Sequence, residues 1–212
     1  YFSDTNKVKK LKKRSKNLNF NGPKIIKSPN NFLVYEYVHG KHLTEVNEKI
    51  FFKFLEHLKK NFWIKKKVHN KNFRAECEKF YKDKTQERVA QAIVQNPNLD
   101  RIEYINGKKL PSIHKILRKV KWEFLSNGIA VNFHGDLQPE NVIVTKKNEF
   151  KLIDWRTDFS GLPYGDVYYE LSKLNHMLTI NTKKVLDGKF KVFYKSNNEV
   201  KYNFETRNKL LK

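Results

Sequence analysis

The stretch that most constrains the fold runs from Asn132 to Trp155, NFHGDLQPENVIVTKKNEFKLIDW. Two short apolar runs, Val142–Thr145 and Phe150–Ile153, flank the polar KKNE. Runs of this length, rich in β-branched residues and broken by a short polar gap, predict a β-hairpin. In an antiparallel pair, the start of the first strand lies beside the end of the second. Asn141 stands just before the first strand and Asp154 just after the second, so the two are expected to meet at one end. Asp136 lies five residues before Asn141, on a loop with Gly135 and Pro139, and can fold back to the same end. Two carboxylates and an amide converging there form the hard oxygen set that magnesium takes alongside phosphate oxygens and water. Taken singly, the same residues also read as ordinary turn formers.

Around this stretch the hydrophobic spacing predicts a mixed chain. A basic helix is expected over residues 4–18, with Val8, Leu11 and Leu18 on one face. Strands over 24–27 and 32–38 are joined by KSPNN, and His39-Gly40 ends the second. Leu43, Val46, Ile50, Phe54, Leu58 and Phe62 recur at helical steps and predict a long helix over 43–62. Residues 64–110 are more polar and predict a helical insertion near 73–94 and a loop or short hairpin near 101–110. A further helix is expected over 113–126, with Ile113, Ile116, Leu117, Val120 and Phe124 on its apolar face and Asn127-Gly128 as its stop. Another helix is expected to start at Asp166, whose side chain can cap it, with Val167, Leu171, Leu174 and Leu178 as the buried stripe. Residues 189–204 alternate around Ser196-Asn197-Asn198 and predict a second hairpin.

Composition narrows the function classes. The chain has 212 residues, 39% of them apolar and 14% aromatic, which excludes a disordered chain. No apolar run approaches the ~18 residues of a membrane span. The single cysteine, Cys77, excludes a disulfide-stapled module. Forty-four Lys and Arg against twenty-two Asp and Glu give a formal charge of +22. Such a charge suits a polyanion. The lysines are nevertheless scattered through a Lys- and Asn-rich composition, so no specific nucleic-acid partner is expected. The chain begins at Tyr1 and its only methionine is Met177, so it reads as a processed or truncated piece. No apolar segment follows the basic N-terminal stretch, no signal peptide is visible, and cytoplasm is the expected location.

HGDLQPEN (134–141) followed by LIDW (152–155) resembles the catalytic core of the protein-kinase-like phosphotransferases, in the aminoglycoside phosphotransferase and choline kinase branch. Protein kinases carry H-R-D-x-x-x-x-N and then D-F-G in these places. Here His134, Asp136 and Asn141 keep that spacing, Gly135 follows the His, and Trp155 stands after Asp154. VYEYVHG (34–40) is similar to the hinge between the lobes of that family, the helices at 43–62 and 113–126 to its C-lobe, and GDVYYELSKLNHML (165–178) to its post-catalytic helix.

The resemblance implies an α+β, protein-kinase-like fold. Residues 1–38 would form a partial N-lobe of one helix and two strands, and 39–212 a mainly helical C-lobe holding the catalytic hairpin. Asp136 would be the catalytic base, and Asn141 and Asp154 would hold Mg2+ against the phosphates of ATP. Glu36, Tyr37 and Val38 would lie beside adenine, His134 would brace the loop, and Asp166 would cap a helix and anchor a loop. The implied reaction is ATP- and magnesium-dependent phosphoryl transfer to a hydroxyl of a small molecule. Since +22 suits cationic acceptors poorly, a sugar, polyol or anionic glycan precursor is the expected acceptor class. The glycine-rich loop and strand lysine of such kinases are not found in the chain and are expected upstream of Tyr1. The alternatives are a pseudokinase or scaffold with the same fold, and a polyanion-binding module.

Overall fold

A computed structural model describes residues 2–18, 21–180 and 185–204. The architecture is α+β, with many short helices and four small sheets among the described residues. The chain divides into two compact units, Tyr1–Phe73 with Gly128–Met177, and Arg74–Asn127 with Leu178–Lys212.

Helix α1 (Thr5–Leu18) buries Val8, Leu11 and Leu18 as the spacing predicts, and buries Arg14 with them. β1 (Ile25–Lys27) and β2 (Val34–Tyr35) pair antiparallel, with a register irregularity between Ile25 and Lys27. The strand expected over 32–38 is thus cut to two residues; it lies at the edge of a two-stranded sheet and is largely exposed. β3 (Lys41–His42) follows.

The helix expected over 43–62 does not run unbroken. Leu43–Glu45 is a 3-10 turn, and the side chain of Asn47 then caps α2 (Glu48–His57) by accepting from Ile50 N at 3.1 Å. An Asn that bonds the local backbone favours a helix start over a helix interior. The last turn, Leu58–Phe62, widens to π geometry, and Leu43, Phe54, Leu58 and Phe62 are still fully buried.

The insertion forms α3 (Asn70–Glu78) and α4 (Lys84–Gln95), joined by a π turn. β4 (Tyr104–Ile105) and β5 (Lys108–Lys109) then make a hairpin around left-handed Asn106 and Gly107. The helix expected over 113–126 is two pieces, α5 (Ile113–Lys119) and α6 (Trp122–Leu125), with Val120 extended between them. Its expected apolar face is not buried: Ile116 is 45% and Phe124 72% exposed. A helix that buries no apolar face lacks the packing that would carry it through a β-branched residue.

β6 (Ala130–Val131) leads into the loop that carries His134 and Asp136. The predicted hairpin forms from β7 (Val142–Val144) and β8 (Phe150–Leu152), with Val142 opposite Leu152 and Val144 opposite Phe150. Asn148 takes the left-handed turn position that Asn tolerates. β3 adds to the outer edge of β7 in the order β3-β7-β8.

β9 (Gly165–Asp166) pairs antiparallel with β6, and α7 (Val167–Thr179) follows directly. The predicted stripe of α7 is corrected. Leu174 is buried, Leu171 is 40% exposed, and Glu170 is fully buried on that face; the side chain of Leu178 lies outside the described residues. β10 (Lys191–Tyr194) and β11 (Glu199–Asn203) form the second hairpin, and β11 pairs parallel with β4. Among the described residues no helix is long and apolar enough to cross a membrane.

Candidate active site

The loop between β6 and β7 is built around a buried histidine. His134 Nε2 lies 2.9 Å from the carbonyl oxygen of Ile153, and the N–H of Asp136 lies 3.2 Å from His134 Nδ1. A carbonyl needs a donor and an N–H needs an acceptor, so these partners assign the neutral ring with its proton on Nε2. Burial holds the ring neutral by lowering its pKa from 6.5 to about 4. The backbone closes the same connection, with Arg156 N donating to His134 O at 2.9 Å and Ile153 N to Asn141 O at 2.9 Å.

Gly135 is required where it stands. Its φ is +91°, and a Cβ there would come within 2.7 Å of both Arg156 Cβ and the Phe133 ring. Behind it lies Glu170, whose Oε1 accepts from Gly135 N at 2.8 Å and Oε2 from His134 N at 3.0 Å. Burial raises the Glu170 carboxyl from 4.5 to about 7, although those backbone bonds and the charge of Arg14 favour its ionised form.

Arg14 reaches in from α1. Its guanidinium donates to the carbonyls of Phe133, Pro163 and Arg156 and lies 5.6 Å from the Phe133 ring centroid. Burial lowers its pKa, which the charges of Glu170 and Asp158 oppose. Trp155 also ties into α1, its indole N–H donating to Leu11 O at 3.0 Å. Helix α1 thus braces both the loop and the residue that follows Asp154.

Asp136 is half-buried. Lys173 Nζ lies 2.8 Å and Gln138 Nε2 3.0 Å from its Oδ1. Desolvation alone would raise its pKa, but the Lys173 and Gln138 hydrogen bonds and the charges of Lys173 and Arg156 outweigh it, and the net direction is down. Asn141 Nδ2 donates to Asp136 O at 2.8 Å, which leaves Asn141 Oδ1 as the free acceptor of that amide. Asp154 follows β8 with left-handed φ +57° and an exposed side chain. Burial, and then the charge of Asp154, raises the pKa of Tyr35. Among the described residues no three His, Cys, Asp or Glu gather into a metal cluster. The candidate magnesium set is smaller: the Asn141 amide oxygen and the Asp154 carboxylate.

The other expected site residues fall in two places. Glu36 is exposed and clasps the sheet edge, its N–H donating to Lys24 O and its Oε1 accepting from Lys24 N, both at 2.9 Å. Tyr37 is 81% exposed, edge-on to His39, and Val38 is half-buried. Asp166 is buried, and its Oδ1 accepts from Ile129 N at 2.9 Å and from Tyr168 N at 3.2 Å, so it both anchors the strand into the loop and caps α7.

Hydrophobic spacing and motif matching do not point to Glu170, Arg14 or Lys173. Glu170 and Arg14 carry a readable signal, a charge set inside an apolar helical stripe. Lys173 has none, because its partner comes from a distant loop. No family profile, curated protein or solved structure matches the chain.

Proposed function

We propose that the protein is a protein-kinase-like phosphotransferase that moves the γ-phosphoryl group of ATP, with magnesium, to a hydroxyl of a small molecule. The observation that carries this reading is the Asn141 amide bonded to Asp136 O at 2.8 Å, on a loop whose His134 ring bonds Ile153, the residue before Asp154. Catalytic loop and metal-site carboxylate are thereby parts of one braced piece, and phosphoryl transfer depends mainly on such positioning.

The donor set fits magnesium. Asn141 would supply its Oδ1 and Asp154 its carboxylate, and the ion prefers one or two protein oxygens together with phosphate and water. When bound, the metal would neutralise charge on the phosphates. Asp136 would present Oδ2 to the acceptor, since Lys173 and Gln138 occupy Oδ1 and only the long 3.5 Å contact from Asn141 Nδ2 falls on Oδ2. As the acceptor oxygen bonds to phosphorus and the bond to the ADP oxygen breaks, the hydroxyl proton passes to Asp136. Its lowered pKa makes it a weak base, suited to orienting the hydroxyl and taking the proton late. The backbone of Glu36, Tyr37 and Val38 would meet adenine.

Asp136→Asn in protein expressed from its complete gene tests the reading. Folding should be kept and acceptor-dependent ADP release should fall by about a hundredfold or more. Undiminished release would refute the role of Asp136. A protein that binds no nucleotide would be a scaffold of the same fold.

A further inference from the structure

We infer that the outer face of α1, a row of four lysines, is a docking surface for an anionic lipid bilayer.

Helix α1 turns Val8, Leu11, Arg14 and Leu18 inward and buries them. Lys9, Lys12, Lys13 and Lys16 are exposed. They stand at i, i+3, i+4 and i+7, so they share the opposite face, over about 10 Å of helix. The helix contains no Asp or Glu. Lys10, beside the row, lies 3.8 Å from Asp158, and among the described residues no ion pair reaches the four lysines of the row. Lys9 neighbours Lys12 and Lys13, and Lys16 neighbours the same two, at spacings where like charges destabilise a helix. Helices α2, α3 and α4 instead mix Lys or Arg with Glu along their length. The row is therefore more than a sample of the chain's scattered lysines, and an anionic surface would relieve its repulsion.

The chemistry of the row favours a bilayer over a nucleic acid. Its cations are all lysines, compact point charges that meet headgroup phosphates without a fixed geometry. The one arginine of α1, Arg14, is turned inward onto the carbonyls of Phe133, Pro163 and Arg156. No aromatic side chain stands on α1 to stack a base. The apolar stripe of the helix is committed to the core, so the helix would lie on the headgroups by charge alone and not insert. Its inward side holds the loop of Asp136, through Arg14 and the bond from Trp155 to Leu11 O, so the bilayer would meet α1 on the side away from that loop.

The test is co-sedimentation of protein from the complete gene with vesicles of phosphatidylcholine alone and of phosphatidylcholine mixed with phosphatidylglycerol. Two variants of equal net charge are compared. One carries Lys9→Gln, Lys12→Gln, Lys13→Gln and Lys16→Gln; the other carries Lys49→Gln, Lys53→Gln, Lys108→Gln and Lys109→Gln, at lysines exposed elsewhere. Gln suits a helix and removes the repulsion, so α1 should form in the first variant. Wild type should bind the mixed vesicles and not phosphatidylcholine alone. The α1 variant should bind them about a hundredfold or more weakly, the scale of four lysines near a charged surface, and the control should stay within about tenfold of wild type. Lys12→Gln with Lys16→Gln alone should weaken binding about tenfold. Equal losses in the α1 variant and the control would assign the binding to net charge and overturn the inference. So would failure of wild type to bind the mixed vesicles, or tighter binding to a DNA duplex that is lost in the α1 variant.

Discussion

Nε2 of His134 lies 2.9 Å from the carbonyl oxygen of Ile153, so the loop that carries Asp136 is tied to the residue just before Asp154. The companion bond from Asp136 N to His134 Nδ1 at 3.2 Å needs a neutral ring, and burial supplies one by lowering the pKa to about 4. Glu170, two hydrogen bonds behind the same loop, is shifted the opposite way, to about 7. The two make opposite contributions to the pH dependence of stability. A His depressed from 6.5 costs stability as pH falls through that range towards 4. A Glu raised from 4.5 contributes stability below 4.5, and that contribution is lost as pH rises through 7.

Glu170→Gln separates the two. The variant keeps one amide oxygen as an acceptor but sets an NH2 group against the other backbone N–H, which should cost about 1–3 kcal/mol at pH 8. It also removes the Glu titration. The stability gap between wild type and variant should therefore widen on the order of 3 kcal/mol between pH 8 and pH 4.5, from the rise of 4.5 to about 7. Urea unfolding at several pH values measures this, and parallel curves would show that Glu170 titrates normally.

Arg14→Met keeps an unbranched apolar stem and removes the donors. The carbonyls of Phe133, Pro163 and Arg156 would lose them. The expected loss is about 3 kcal/mol. A variant as stable as wild type in thermal unfolding would mean that desolvation of the guanidinium cancels its hydrogen bonds.

Gly135→Ala should destabilise by about 1–3 kcal/mol from its positive φ alone. The contacts with Phe133 and Arg156 add to this. Because the loop has to shift to admit the methyl group, ADP release should fall along with the melting temperature. Wild-type values of both would contradict the tight loop geometry.

Much of this site is legible in the sequence, and the reasons are local. The hairpin of β7 and β8 follows from two β-branched and aromatic runs around a polar gap, and its register alone brings Asn141 towards Asp154. Asp166 reads as a cap because a helix N-terminus selects that residue type. The long helices misread because apolar spacing says nothing about competing local bonds: Asn47 starts a new helix inside one predicted run, and the other run, around Ile116 and Phe124, buries no face. Glu170 lies between Val167 and Leu174, where apolar spacing points to Leu171 and gives a charged residue no weight. Lys173 meets Asp136 only through the tertiary fold, which no spacing rule reports.

The central claim is that Asn141 and Asp154 hold magnesium against ATP beside Asp136. Calorimetric titration of ATP into protein from the complete gene, with and without magnesium, for wild type and Asp154→Ala, tests it most directly. Wild type should bind ATP at least tenfold more tightly with magnesium than without, because an ion held by Asn141 and Asp154 would neutralise phosphate charge, and Asp154→Ala should lose that difference. Equal affinity with and without magnesium in the wild type, or a magnesium effect that persists in Asp154→Ala, would contradict the claim.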